Sequence, residues 1–380
     1  MTLDKEIARY THALAEKGLL RTRSVFQKNT EQFIHFDSND YLSLSEEPAI
    51  TQAYQEGYQR YPCGSGGSML LSGYHETHRA VEQAFAEWLE VDDCILFSSG
   101  YAANLAITSL LGQIKALCLI DKGVHASTYD GLNLAQVEYK RYQHNDLHHL
   151  RQQLDTFPIQ ALLTEGIFGM SGMLSPLDEI ANLCRTKNTV LLVDEAHSFG
   201  ILGDRGKGSI AKYGLTQKEV PLRTIAFGKA YAAQGALIAG QKNWIHALLQ
   251  AGRSLIYSTA ISPAISYGLG KTLDVIIAAE DRRNKLQELI GQFREHIMQS
   301  PLQWSDSLTP IQQLQLGCPY LALHYSQELK AQGILCSAIR PPTVSLKATG
   351  LRIILNYRHT PQQITRLFLL LSQLHEHTPS

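Results

Sequence analysis

The sequence predicts an α/β protein: a mostly parallel sheet in a large domain, followed by a smaller C-terminal α+β domain. Three observations predict it. From about Ser45 onward, short apolar runs alternate with longer amphipathic segments, the rhythm of strands joined by crossover helices. Several of the runs are short and apolar throughout, as strands buried on both faces are, and Val190-Leu191-Leu192-Val193 is the clearest. The rhythm then breaks near residue 270, where a long helical pattern gives way to polar turns and isolated strands.

Taken in order, Leu3 to Leu20 has apolar positions at helical spacing and predicts an N-terminal helix, followed by an extended stretch from Phe33 to Tyr41. Strands are expected at Asp93–Phe97, Ala116–Ile120, Val137–Tyr142, Ala161–Thr164, Val190–Val193, Thr224–Phe227 and Ala236–Ala239. The segments between them are long enough for helices except between the last two, so one of that pair is expected to run antiparallel. Leu273 to Met298 predicts one long helix, with Ile276, Ile277, Leu286, Leu289 and Ile290 among its apolar positions. Short strands around Ile311–Leu316 and Ile353–Leu355 and a last helix from Pro361 to Leu374 complete the chain. The expected division is an arm over 1–45, a large domain over 46–270 and a small domain over 271–380.

The length of 380 residues suits two or three domains at about 150 residues each. A hydrophobic content of 44% and a charged content of 18% are those of an ordinary globular enzyme. A net charge of -1 predicts no attraction to nucleic acid or anionic lipid. The 6 cysteines form no C-x-x-C pair, and some lie in apolar runs such as Leu117-Cys118-Leu119-Ile120; they read as reduced core residues of a cytosolic protein. Met1 to Leu20 carries charges throughout, unlike a signal peptide, and no uncharged apolar run approaches the roughly 18 residues of a membrane helix.

The chemistry lies at the ends of the predicted strands, where open α/β sheets bind ligands. Asp194 ends one strand, with His197 in the turn beyond it, and Gly228-Lys229 forms the exit turn of the next. An aspartate, a histidine and a lysine so placed suit pyridoxal 5'-phosphate (PLP): the lysine forms a Schiff base and the aspartate pairs with the pyridinium nitrogen. In Phe97-Ser98-Ser99-Gly100-Tyr101 a strand passes into a helix, whose unpaired N–H groups suit a phosphate; an ordinary strand-to-helix turn is the alternative. His125 follows another strand, as a ring to stack on an aromatic cofactor or as a structural histidine. Gly64-Ser65-Gly66-Gly67-Ser68 permits close backbone approach or is a surface loop, and it is neither G-x-G-x-x-G nor a P-loop. His144, His148 and His149 match no zinc spacing and read as a solvated loop entering a helix, so no metal is expected. There is no G-x-S-x-G of a serine hydrolase.

Together these segments resemble the α-oxoamine synthases, fold type I PLP-dependent transferases. The resemblance spans nearly the whole chain: Ser38-Asn39-Asp40-Tyr41-Leu42, the glycine loop, Ser99-Gly100-Tyr101-Ala102-Ala103-Asn104, His144-Asn145-Asp146, Thr164-Glu165-Gly166, Asp194-Glu195-Ala196-His197, Phe227-Gly228-Lys229 and Tyr257-Ser258-Thr259. Ala338-Ile339-Arg340-Pro341-Pro342-Thr343-Val344 is similar to the biotin-pathway branch of that family. The resemblance implies that Lys229 carries the cofactor and moves the Cα proton, that Asp194 pairs with the ring nitrogen, that His125 stacks on the ring and that His197 contacts its 3'-oxygen. It implies a phosphate site at Ser99, Gly100 and Tyr101, completed by Ser258 and Thr259 of the partner subunit in a homodimer. It also implies Arg352 for the amino-acid carboxylate, Arg21 for the distal acyl carboxylate and Asn39 near the substrate. The expected reaction is a cytoplasmic, decarboxylative condensation of L-alanine with pimeloyl-CoA or a pimeloyl carrier protein.

The chain departs from the family pattern around the cofactor. Ala226 stands where the family has a Thr or Ser hydroxyl aimed at the phosphate, with Thr224 and Ser127 as candidate substitutes. Gly169 replaces a serine that contacts the 3'-oxygen, with Ser171 nearby. Ser171 and Met173 replace acidic residues, Met69 follows the glycine loop where an arginine or small residue is common, and Ala232 replaces a glycine after the lysine. Three alternatives remain at this stage: another α-oxoamine synthase with a different acyl donor or amino acid, a catalytically weakened scaffold subunit, and a fold type I aminotransferase.

Overall fold

A computed structural model describes residues 2–21, 23, 25 and 33–377 of the chain. They cluster into two compact units, one of Asn39–Gly169 and Met173–Lys285 and a smaller one of Met1–Ser38, Met170–Gly172 and Leu286–Ser380. The N-terminal helix, Leu3–Glu16, thus groups with the small unit.

The large unit is built on a 7-stranded sheet. Its strands lie in the order Asp93–Phe97, Ala236–Gly240, Leu222–Ala226, Val190–Asp194, Ala161–Glu165, Cys118–Asp121 and Tyr139–Tyr142. All expected strands form, with ends shifted by a residue or two. Ala236–Gly240 is antiparallel to both neighbours and the other pairings are parallel. A strand buried on both faces feeds two cores. In Val190–Asp194, Leu192 joins the core formed with the helix Gly100–Gln113, through Ala103, Ala106, Ile107, Leu110 and Leu111. Leu191 and Val193 face the opposite core, with Leu150 and Leu154 of the helix Leu147–Thr156 and Ile180 and Cys184 of the helix Leu177–Thr186. This period of two is why the run carries no polar residue before Asp194.

The expected helix Leu273–Met298 is two helices, Pro263–Ala278 and Glu280–Gln299. Arg283 is the physical reason. Its guanidinium folds back to donate to the carbonyls of Ile276 (2.8 Å) and Ile277 (3.1 Å), satisfying acceptors that a continuous helix would bond internally. The small unit holds a 4-stranded antiparallel sheet in the order Ser337–Ile339, Gly350–Ile354, Ile311–Gln315 and Gln303–Trp304. The helices Pro319–Ala331 and Pro361–Glu376 accompany it, and Ile34–His35 pairs in parallel with Ile334–Leu335. Among the described residues no helix is long and apolar enough to cross a membrane.

Asp93–Phe97 is an edge strand, and its outward N–H groups are taken up by side chains. Cys94 N donates to Asp93 Oδ1 (2.8 Å) and Leu96 N to Glu82 Oε1 (2.9 Å), while the Tyr74 hydroxyl donates to Glu82 Oε2 (2.5 Å). Burial beneath the helix Glu76–Leu89 pushes the Glu82 carboxyl up from 4.5 to about 7. The folded state therefore holds this proton more tightly than the unfolded chain. The resulting stabilisation is full below pH 4.5 and is lost as pH rises through about 7. Glu82→Gln keeps an acceptor for either donor and removes the titration. Denaturant unfolding of this variant should be flatter with pH over that window, the wild type losing on the order of 3 kcal/mol; identical pH profiles for the two proteins would refute the assignment.

Candidate active site

The carboxyl ends of the parallel strands gather the expected residues of the large unit. Asp194 ends its strand, flanked in register by Glu165 on one side and Thr224 on the other. Both of its oxygens are engaged: Oδ1 accepts from Ala196 N (2.8 Å) and Oδ2 from Asn104 Nδ2 (2.8 Å). The Asp194-Glu195-Ala196-His197 turn splits its side chains by role. Glu195 points away into a fully buried nest of Ser209 Oγ (2.6 Å), Ile210 N (2.9 Å) and Arg223 Nη1 (3.5 Å). His197 turns toward Tyr41, whose hydroxyl lies 2.7 Å from its Nδ1 and 3.2 Å from Asn39 Oδ1.

His125 precedes the helix Ala126–Leu134 and caps it, its Nδ1 taking the backbone N–H of Ser127 (3.2 Å) and lying 2.8 Å from Ser127 Oγ. His125 is exposed, as a residue that stacks on a ligand requires. Desolvation lowers the imidazole below its ordinary range and nearby Lys229 adds to this, while Asp194 opposes it. Beneath the loop, the fully buried Glu165 accepts from His125 N (2.5 Å) and Gly169 N (3.2 Å), so one carboxyl ties two strand-end loops together. Burial, and then the neighbouring Asp194, push that carboxyl well above the usual range.

Lys229 lies in a tight turn between antiparallel strands. Ala232 N donates to Lys229 O (2.8 Å), and Ala233 N returns to Phe227 O (2.9 Å). Ala232 has a φ of 54°, where glycine is favoured and a side chain costs about 1–2 kcal/mol. The helix Gly100–Gln113 starts hard against the same strand end: a Cβ on Gly100 would lie 3.1 Å from that of Ala226. Ser99 caps it by accepting from Ala102 N (3.1 Å), and Tyr101, itself exposed, donates to Asp130 Oδ2 (2.7 Å). Ser258 and Thr259 flank the Phe97-Ser98 turn, next to the glycine loop, where Gly67 O accepts from Ala260 N (2.9 Å). That loop is a tight fold: a Cβ on Gly73 would sit 2.1 Å from Gly67 O.

Two expected substitutes for the missing hydroxyl at Ala226 are committed elsewhere. Thr224 Oγ1 donates to Asn104 Oδ1 (3.0 Å), and Ser127 Oγ accepts from Asn104 Nδ2 (2.9 Å). Arg21 and Arg352 belong to the small unit. Arg352 is buried in the strand Gly350–Ile354, in register with Gln313 and Ser337, and Arg21 is exposed beyond the first helix. Sequence reasoning gave no role to Asn104, Tyr41 or Glu165. The signal for Asn104 was available: a polar residue on the buried side of an otherwise apolar helix needs partners.

The chain is similar to known proteins over most of its length. The model of the aminotransferase class I and II family matches residues 31–368. The chain is 37% identical over 379 residues to the 8-amino-7-oxononanoate synthase of Photobacterium profundum, covering 96% of each. It is 41% identical over 348 residues to that of Citrobacter koseri, covering 90% of each. A crystal structure of 8-amino-7-oxononanoate synthase from Francisella tularensis superposes with a TM-score of 0.81 at 32% identity, over 91% of this chain and 98% of that one. A Sphingomonas wittichii serine palmitoyltransferase shares the fold, with a TM-score of 0.88 at 23% identity over 98% of this chain and 97% of its own.

Gly169, the position where a serine was expected from the resemblance, packs directly against His197. A Cβ there would lie 2.5 Å from His197 Nε2 and 3.0 Å from its Cδ2. The imidazole fills the space a serine side chain would need. Gly169→Ser should push the ring off Tyr41 and lower stability by about 1–3 kcal/mol. In a double-mutant cycle with Tyr41→Phe the two losses should be less than additive; strict additivity in thermal unfolding would show that the ring does not couple the two positions.

Proposed function

Since this chain belongs to the aminotransferase class I and II family, and within it to the 8-amino-7-oxononanoate synthases, we propose that it makes 8-amino-7-oxononanoate for biotin biosynthesis. The reaction joins the Cα of L-alanine to the carbonyl carbon of a pimeloyl thioester and releases CO2 and the thiol. The observation that carries this reading is the convergence of Asp194, Lys229, His125 and a helix start at the carboxyl ends of one sheet.

The cofactor is PLP, and the donor set fits it. A carboxylate with both oxygens already held by N–H groups is fixed in direction, as a partner for a ring nitrogen has to be. A helix N-terminus with a small residue at its first turn suits a phosphate. When bound, PLP supplies an electron sink for the charge left on the alanine Cα. Lys229 would hold the cofactor through Nζ, then take the Cα proton from bound alanine at the same atom. Asp194 would keep the ring nitrogen protonated, His125 would cover the ring and exclude water from it, and His197 would serve the 3'-oxygen. Ser99, Gly100 and Tyr101 hold the phosphate from this chain, with Ser258 and Thr259 of the partner subunit. By resemblance to the family, Arg352 takes the alanine carboxylate as a bidentate pair, Arg21 the far acyl carboxylate, and Asn39 lies near the substrate. The enzyme is a cytoplasmic homodimer in this reading.

Lys229→Ala should abolish both the Schiff-base absorbance band that forms on adding PLP and the condensation of alanine with pimeloyl-CoA; retained turnover would sink the reading. With Thr224 and Ser127 already engaged, the hydroxyl missing at Ala226 has no replacement from those two residues. Ala226→Ser should therefore tighten PLP binding about tenfold, a single charge-assisted hydrogen bond, when the band is titrated with cofactor. No change in affinity would mean that the phosphate does not face Ala226.

A further inference from the structure

Asn104 is buried within the helix Gly100–Gln113 and uses both sides of its amide. The Asp194 carboxylate can only accept, so the edge of the amide facing it at 2.8 Å must be the NH2 group. The carbonyl oxygen then faces Thr224, whose hydroxyl donates to it at 3.0 Å. The second amide hydrogen goes to Ser127 Oγ at 2.9 Å. A hydroxyl has one proton, and with Asn104 donating to it that proton is directed to His125 Nδ1, 2.8 Å away. The Ser127 backbone N–H donates to the same nitrogen at 3.2 Å. Nδ1 is therefore an acceptor from two directions.

We propose that Asn104 is a positioning residue that couples Asp194 to His125: one amide holds the Asp194 carboxylate and, through the Ser127 hydroxyl, keeps a donor on His125 Nδ1, so that the ring proton resides on Nε2. The inference rests on the reading of Asp194 and His125 as residues facing PLP. Its consequence is that the group beside the ring nitrogen and the group over the ring face are set by one side chain. The charged groups around this imidazole are Asp194, Lys229 and Asp130, with Glu165 on its backbone N–H.

The test is carried out on the full-length protein, with and without PLP, by 15N NMR of labelled histidine. In the wild type, His125 should titrate as a neutral ring with Nδ1 unprotonated. Ser127→Ala removes one of two donors to Nδ1, and Asn104→Ala frees the Ser127 hydroxyl to rotate and accept. Either change should move the His125 titration upward, and the two shifts should be less than additive in the double variant, because both variants disturb the same Ser127 hydroxyl. Asn104→Ala should also weaken PLP about tenfold, since it alone releases Asp194. A wild-type His125 protonated on Nδ1 overturns the proposal. So does a pair of variants that lower the melting temperature but leave the His125 titration unmoved, the result expected of a merely structural asparagine. If Asn104→Ala does not fold, Ser127→Ala and Thr224→Val, which removes the donor that orients the amide, carry the same titration test. A wild type that gives no PLP absorbance band would sink the functional reading instead, while the tautomer could still be read in the cofactor-free protein.

Discussion

A carboxylate at the end of a buried strand is the constraint on which the large unit turns. Asp194 emerges between two cores, and an unpaired charge there would be costly. The fold answers with two donors, one local and one distant. Ala196 N comes from the turn that Asp194 itself begins, and Asn104 comes from a helix ninety residues earlier. Because the distant donor is a side-chain amide, its remaining valences reach further, to Thr224 on the next strand and to Ser127 in the His125 loop. Three strand ends are thereby locked to one helix.

The neighbouring acids show what else the strand ends have to do. Glu165 sits beside Asp194 in register, yet its two oxygens hold backbone N–H groups of separate loops. It shapes the walls and leaves Asp194 to face the crevice. Glu195, next in sequence, is turned away by the strand and meets Arg223 with serine and backbone donors. A buried ion pair of this kind stabilises weakly at best, because desolvation offsets the attraction. Its evident effect is directional: it anchors the loop of Gly208 and Ser209, and so fixes the path from which His197 emerges. Adjacent acids therefore do separate work because successive side chains leave a strand on opposite faces.

The sheet was legible in the sequence because buried parallel strands must be apolar along their length, and runs such as Val190–Val193 cannot easily be anything else. Asp194 and Lys229 were legible for the same reason, as the first polar residues after such runs, and His125 as a histidine in the turn that follows another. The break at Ala279 was hidden. Its cause is the long side chain of Arg283 reaching back over a turn, while the helical periodicity continues undisturbed on either side. The short strands Gln303–Trp304 and Ser337–Ile339 were hidden too, being too brief to show a period. Asn104 appeared in the sequence only as part of a motif. Its function depends on contacts with residues 90 and 120 positions away, which no local pattern encodes.

The departures from the family pattern become coherent once the contacts are known. Gly169 and His197 form a matched pair: the missing side chain is the space that the imidazole occupies, and Tyr41 holds the ring there from the other side. Ala226 has no such counterpart. Its two candidate substitutes, Thr224 and Ser127, are both held by Asn104, and releasing either would loosen Asp194 or His125. The backbone of the helix start at Gly100 is pressed close to Ala226. Backbone N–H groups cost no side-chain entropy and are already fixed by the helix, so they can hold an anion where a hydroxyl is absent. The same closeness leaves little room at Gly100: a Cβ there would press on that of Ala226 at 3.1 Å.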